Sequence, residues 1–161
     1  MFFCGAVVRP PEDSESLVLT PLYLLVGVFL PVWLERPSSL ASCLAPIPLQ
    51  LMAGVLAVGV GDSAAALVGT AVGRRRWRGS GSGKTVEGSA AFFVSHLLAT
   101  LLLRYSALCP QPAPFDAATL PLLAAISALV ALAEAFVVNF DNLCLPVLNY
   151  CLLLWLLAAG A

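Results

Sequence analysis

Four charged side chains stand out against an otherwise apolar chain: Asp62, Lys84, Glu87 and Asp141. Lys84 sits in the run Gly-Ser-Gly-Ser-Gly-Lys-Thr-Val-Glu-Gly-Ser, from Gly79 to Ser89. Glycines here let the backbone turn tightly and bring N–H groups together on an anion, as in phosphate-binding nests. Lys84 adds a cation, Thr85 a hydroxyl and Glu87 a carboxylate. Ser89 opens the next apolar stretch, where the positive end of a helix favours phosphate. The run is not a P-loop, because that pattern requires glycine at the position of Arg78. The chemistry predicted is phosphate binding at Gly83, Lys84, Thr85 and Gly88, with Glu87 pairing with Lys84 or holding a metal.

Upstream lies Gly-Val-Gly-Asp-Ser-Ala-Ala-Ala-Leu-Val-Gly-Thr-Ala-Val-Gly, from Gly59 to Gly73. Asp62, Ala66, Gly69 and Gly73 are separated by four, three and four residues. That spacing aligns them on one face of a helix. The face carries one carboxylate and almost no other side chain, so a ligand or a neighbouring helix can come close. Tight helix packing accounts for the glycines equally well. It does not account for Asp62, whose charge is costly inside an apolar segment and marks a functional site. Asp62 is therefore a candidate functional acid, and Gly69 and Gly73 are positions where a ligand can come close.

The elements that must position these groups are membrane spans. Of the 161 residues, 60% are hydrophobic and 11% charged, and the mean hydropathy is +0.96. Soluble domains carry about 25% charged residues, so a water-soluble fold is excluded. The expected fold is an all-α polytopic membrane bundle. Its five helical spans would run over residues 17–34, 46–73, 89–103, 120–138 and 143–159, with a connecting loop at 74–88. A short segment, 1–16, precedes them; it lacks the basic start of a signal peptide and is expected to be cytosolic. Arg74, Arg75, Arg76, Arg78 and Lys84 put five of the eight basic residues into the 74–88 loop, which the positive-inside rule assigns to the cytosol. Alternation then brings Asp62, Glu134, Asp141 and Asn142 to that same side.

Other polar residues have plainer readings. His96 is expected to hydrogen-bond between helices. Trp33, Tyr105 and Trp155 read as interfacial anchors, Arg36 and Arg104 as flanking charges. The five cysteines (Cys4, Cys43, Cys109, Cys144 and Cys151) show no paired spacing and read as small hydrophobes. The net charge of -1 gives no indication of nucleic acid as a partner.

The segments Gly-Asp-Ser-Ala-Ala-Ala-Leu-Val-Gly-Thr-Ala-Val-Gly and Lys-Thr-Val-Glu-Gly-Ser resemble the signature of the CTP-dependent lipid kinases. The closer resemblance within that group is to the dolichol kinases. It extends to Leu17–Leu34, to Gly73–Trp77, and to the run from Glu134 to Tyr150, all in the same order. It covers nearly the whole chain from about Asp13 onward. It implies transfer of phosphate from CTP to dolichol, giving CDP and dolichyl phosphate for lipid-linked glycan synthesis. The implied setting is the endoplasmic reticulum membrane, with the nucleotide on the cytosolic side and a divalent ion, Mg2+, assisting. Carried over residue by residue, the resemblance gives Lys84 to the CTP phosphates and Asp62 and Asp141 to metal binding or activation of the dolichol hydroxyl. Two departures are visible. The stretch from Arg78 to Gly83 is longer than the family's usual link, and the chain corresponds only to the catalytic C-terminal portion of much longer proteins. It is thus expected to be a fragment, an isoform or a truncated product. Two other classes stay open: a CDP-lipid-forming cytidylyltransferase, and a non-enzymatic or inactive membrane protein.

Overall fold

The computed structural model describes residues 20–35, 48–78, 83–106, 119–137 and 140–158. The N-terminal segment, Arg36, Cys4, Cys43, Cys109 and the loop at 110–116 lie outside these. Among the described residues there are five α-helices, a 3₁₀ segment, a π-helical stretch and no β-strand. Helix α1 is Thr20–Leu34. A one-turn 3₁₀ segment, Leu49–Met52, and a π-helical stretch, Val55–Asp62, lead into α2, Ser63–Val72. Helix α3 is Val86–Arg104, α4 is Thr119–Phe136 and α5 is Asp141–Ala158. Three stretches are long and apolar enough to cross a membrane: Val55–Val72, Val86–Arg104 and Thr119–Phe136. Pro21–Leu34 and Asp141–Leu156 are shorter apolar helices. The molecule is a helical membrane bundle.

Helix α3 is central: it packs on α2 and the π-helical stretch on one side and on α4 on another, while α5 joins α4 to α1. The core between them holds Phe92, Leu123, Leu145, Leu153 and Leu156. Large apolar side chains also cover the outside, among them Leu67, Leu102, Trp33 and Trp155. A soluble monomer rarely presents so continuous an apolar exterior. A bilayer removes the penalty, and the outward-facing Trp33, Tyr105 and Trp155 suit the anchoring role expected of them.

Backbone groups left open by proline shape the packing. Pro146 has no N–H to give the carbonyl of Asn142, four residues earlier. Helix α1 approaches that carbonyl at Gly27, where a Cβ would overlap Asn142 O. Pro31 similarly leaves the carbonyl of Gly27, which faces Gly54.

The π-helical stretch is a feature that periodicity did not foreshadow. Three glycines, at 54, 59 and 61, weaken the preference for a regular α-turn there. The Ala53 carbonyl accepts from Asn149 Nδ2 at 3.0 Å, and Ser63 Oγ donates to Val58 O at 3.2 Å. Gly61 is required by its neighbour: a Cβ would lie 2.6 Å from Cζ of Phe92, which is fully buried. At Gly59 a Cβ would meet only Val55 Cγ1, at 3.5 Å. Gly61→Ala is thus expected to cost about 1–3 kcal/mol through overpacking. Gly59→Ala is expected to be neutral or to stabilise by up to about 1 kcal/mol, the usual gain of alanine over glycine in a helix. Thermal unfolding of both variants in detergent checks the pair, and equal losses would contradict the packing described.

His96 hydrogen-bonds across to Ser127 of α4, Nδ1 to Oγ 2.9 Å. It joins two helices, as expected of it. Arg104 differs from expectation. It is buried, at 4% exposure, and does not flank the bundle as a solvated charge.

Candidate active site

The loop expected at 74–88 is a short paired stem followed by a capped helix. Arg76 and Thr85 form an isolated antiparallel bridge. Trp77 N–H donates to Lys84 O at 3.2 Å, and Val86 N–H to Arg75 O at 2.8 Å. The stem fixes the backbone of Lys84 on one side and Arg76 on the other. Gly83 has φ of 69° with open space around it, the left-handed geometry that glycine adopts without strain. Thr85 then caps α3: its Oγ1 accepts from Gly88 N–H at 3.1 Å, which satisfies one of the open donors of a helix start. Helix α3 consequently begins at Val86, three residues before the sequence-based start at Ser89, and Glu87 and Gly88 lie in its first turn.

Helix α2 lies against this cap with unusually close backbone contact. A Cβ on Gly69 would come 3.0 Å from Thr85 Oγ1, and one on Gly73 would come 2.7 Å from Thr85 Cγ2. A Cβ on Gly88 would sit 3.0 Å from the Ala65 carbonyl. The three glycines therefore pack helices, and they also leave a space. A cleft of about 550 Å³ opens between α2, the stem and the start of α3, a size suited to a small-molecule ligand. One wall is the face predicted from spacing: Asp62, Ala66, Gly69 and Gly73. Gly83, Lys84, Thr85 and Gly88 form the other side.

Lys84 is held by two acids. Its Nζ is 3.0 Å from Glu134 Oε1 and 3.3 Å from Asp141 Oδ2, and it donates to the Glu134 carbonyl oxygen at 2.8 Å. Glu134 is buried, at 3% exposure. Its other oxygen, Oε2, accepts from Ser89 Oγ at 3.2 Å, and Ser89 Oγ in turn accepts from Trp77 Nε1 at 3.0 Å. A continuous polar chain thus runs from Trp77 through Ser89 and Glu134 to Lys84 and Asp141. Asp62 lies within electrostatic reach of Lys84, Glu134 and Asp141 and forms no ion pair among the described residues.

Two expected site residues are placed differently. Glu87 does not line the cleft. Its carboxylate accepts from Arg75 N–H, 3.3 Å from Oε1 and 3.2 Å from Oε2, so it clamps the stem and does not pair with Lys84. The cause is its position in the first turn of α3, which turns it toward the Arg75 N–H of the stem. Asp141 opens α5 and does not line the cleft either; it reaches the site through Lys84. Arg76 and Thr70 line the cleft without having been assigned to it from sequence, and so do Glu134, which the sequence placed only on the same side of the membrane as Asp62, and Ser89, which it placed only at the start of the phosphate-favouring helix. Glu134 carried one usable signal, a carboxylate within an apolar span.

The arrangement can bind an anion. Lys84 and Arg76 supply positive charge at the cleft, and the start of α3 supplies a helix N-terminus. Glu134, buried, and Asp141, partly exposed, hold Lys84 in place for the task.

No protein-family model and no solved structure matches the chain. Curated proteins do match. The chain is 37% identical over 140 residues to the dolichol kinase of Homo sapiens, covering 84% of this chain and 24% of that protein. It is 33% identical over 142 residues to a dolichol kinase of Arabidopsis thaliana, covering 88% and 23%. With the dolichol kinase of Saccharomyces cerevisiae the identity is 31% over 136 residues, covering 84% and 22%. The chain therefore spans about a quarter of the length of these relatives, and over that segment it is a homologue of the dolichol kinases.

Proposed function

We propose that this chain forms the nucleotide-binding and phosphoryl-transfer part of a dolichol kinase that uses CTP. The observation that carries the reading is the cleft itself: Lys84, fixed by two acids, faces a small-residue wall bearing Asp62, within helices apolar enough to span a membrane. In the reaction, the dolichol oxygen bonds to the γ-phosphorus of CTP and the bond from that phosphorus to the β,γ-bridging oxygen breaks. CDP leaves, and the alcohol proton passes to a carboxylate or to water. Phosphoryl transfer asks the protein mainly for positioning and charge neutralisation. Lys84 and Arg76 would bind the phosphates, the start of α3 would orient them, and the apolar surroundings would exclude water.

Among the described residues no three His, Cys, Asp or Glu side chains converge as a metal cage. Magnesium does not need one, since it is commonly held by one or two carboxylates together with the substrate's phosphates. Asp62 fits that role; Glu87, committed to Arg75, does not. When bound, the ion would supply charge neutralisation on the phosphates.

On this reading the cleft lies at the endoplasmic reticulum membrane, and the basic stem supports its cytosolic side. CTP does not cross membranes, so one assay tests both transfer and orientation. Sealed, cytosol-side-out microsomes containing this chain are given radiolabelled CTP and dolichol. Dolichyl phosphate and CDP should form without permeabilisation. Release of pyrophosphate would indicate a cytidylyltransferase. Activity that emerges only after the membrane is opened would reverse the orientation.

A further inference from the structure

A second cavity adjoins the cleft and differs from it in character. It is a groove of about 320 Å³ between α3 and α4. Val86, Ala90 and Phe93 line it from α3, and Ala128, Ala131 and Leu132 from α4. Small residues at 90, 128 and 131 keep the two helices from filling the space with side chains. Trp77 and Ser89 complete the lining, and they carry its only polar side-chain atoms. Those atoms are bonded to each other at 3.0 Å, and Ser89 Oγ is bonded to Glu134 Oε2 at 3.2 Å. Ser89 also lines the polar cleft. One buried serine is therefore the wall shared by an anion-binding cleft and an apolar groove.

An enzyme that phosphorylates a long-chain alcohol needs this juxtaposition: the hydroxyl must meet the phosphate while the chain stays in an apolar setting. We propose that the groove holds the hydroxyl-bearing end of a polyprenol. The chain end lies along Ala90, Phe93 and Ala128, and the hydroxyl is presented past Ser89 toward Glu134 and the cleft. The volume suits the end of a polyprenyl chain; the remainder would extend into the bilayer between α3 and α4. Continuity with the polar cleft through Ser89 distinguishes this occupant from another apolar helix, which would have no hydroxyl terminus to present to the cleft. The proposal rests on the kinase reading above and adds the site of the lipid acceptor.

The test is photolabelling of this chain in microsomes with a polyprenol that carries a diazirine on its first isoprene unit. Label is expected on residues 86–93 and 128–132. It should be competed by unlabelled polyprenol and not by a straight-chain alcohol of equal carbon number. Ala128→Phe should abolish the label and raise KM for polyprenol at least tenfold while leaving KM for CTP unchanged. Ala90→Leu, at the exposed lip of the groove, is the milder companion should Ala128→Phe reduce abundance, with several-fold expected. Competed label confined to α1 or α5 would overturn the proposal. So would absence of competed label, the result if another helix covers the groove, or an unchanged polyprenol KM in both variants. Label in the groove without phosphoryl transfer from CTP would sink the kinase reading and leave the groove as a polyprenol site.

Discussion

Replacing Lys84 with alanine is expected to lower phosphoryl transfer by about two to three orders of magnitude, the usual effect of removing one preorganised group that stabilises transition-state charge. The structure adds a second consequence. Lys84 is the ion-pair partner of Glu134, whose side chain is only 4% exposed, and of Asp141, at 27%. Breaking a buried pair by deleting one member leaves the other charge uncompensated, at about 3–5 kcal/mol where burial is complete. Lys84 itself is 20% exposed to the cleft, so the loss here belongs at or below the low end of that range. The abundance of inserted Lys84→Ala protein should therefore fall along with its activity. Adding Glu134→Gln removes the stranded charge, and the double variant should recover abundance without recovering turnover. Turnover must be expressed per inserted molecule for the comparison to be clean. Near-normal turnover of Lys84→Ala would remove the lysine from the mechanism and make the ion pairs purely structural.

Asp62→Asn is expected to abolish detectable transfer, by at least about a hundredfold, with insertion intact. Asp62 ends the π-helical stretch, lines the cleft and has no ion-pair partner among the described residues. No counter-charge is stranded when it is neutralised. A carboxylate at the centre of a span resists insertion by about 2.5–3.5 kcal/mol on the translocon scale, so the amide should insert at least as well. Asparagine keeps the size and hydrogen-bonding capacity of the side chain and loses only the charge. Holding magnesium and accepting the alcohol proton both need that charge, so either role predicts inactivity. Asp141→Asn provides the contrast. Asp141 touches the site through Lys84 and lies off the cleft wall, so about a tenfold loss is expected from a less firmly held lysine. Assays at saturating CTP and magnesium, with insertion followed by protease protection, decide the matter. Full activity of Asp62→Asn would return the second span to a packing role.

Much of this site lay within single segments of sequence. Composition determined the membrane class, because 11% charged residues cannot solvate the surface of a chain of this size. Helical periodicity put Asp62, Ala66, Gly69 and Gly73 on one face, and all four line one cleft wall. Lys84 was marked by the glycines and the capping threonine beside it. Each of these inferences concerns residues a few positions apart, whose relation is determined by the rise and turn of one helix. The partners of Lys84 were of another kind. Glu134 and Asp141 lie 50 and 57 residues away in sequence, and a shared side of the membrane brings them near without saying what they touch. That depends on which helices are neighbours, at what height and in what rotation. Side-chain packing across several helices sets those quantities, and no single helix encodes them. Glu87 illustrates the same limit in reverse. Its proximity to Lys84 in sequence suggested a pair, yet three residues along a helix start are enough to point two side chains at different partners. The stem and the cap gave Glu87 to the backbone of Arg75, and the contact between α3, α4 and α5 gave Lys84 its acids.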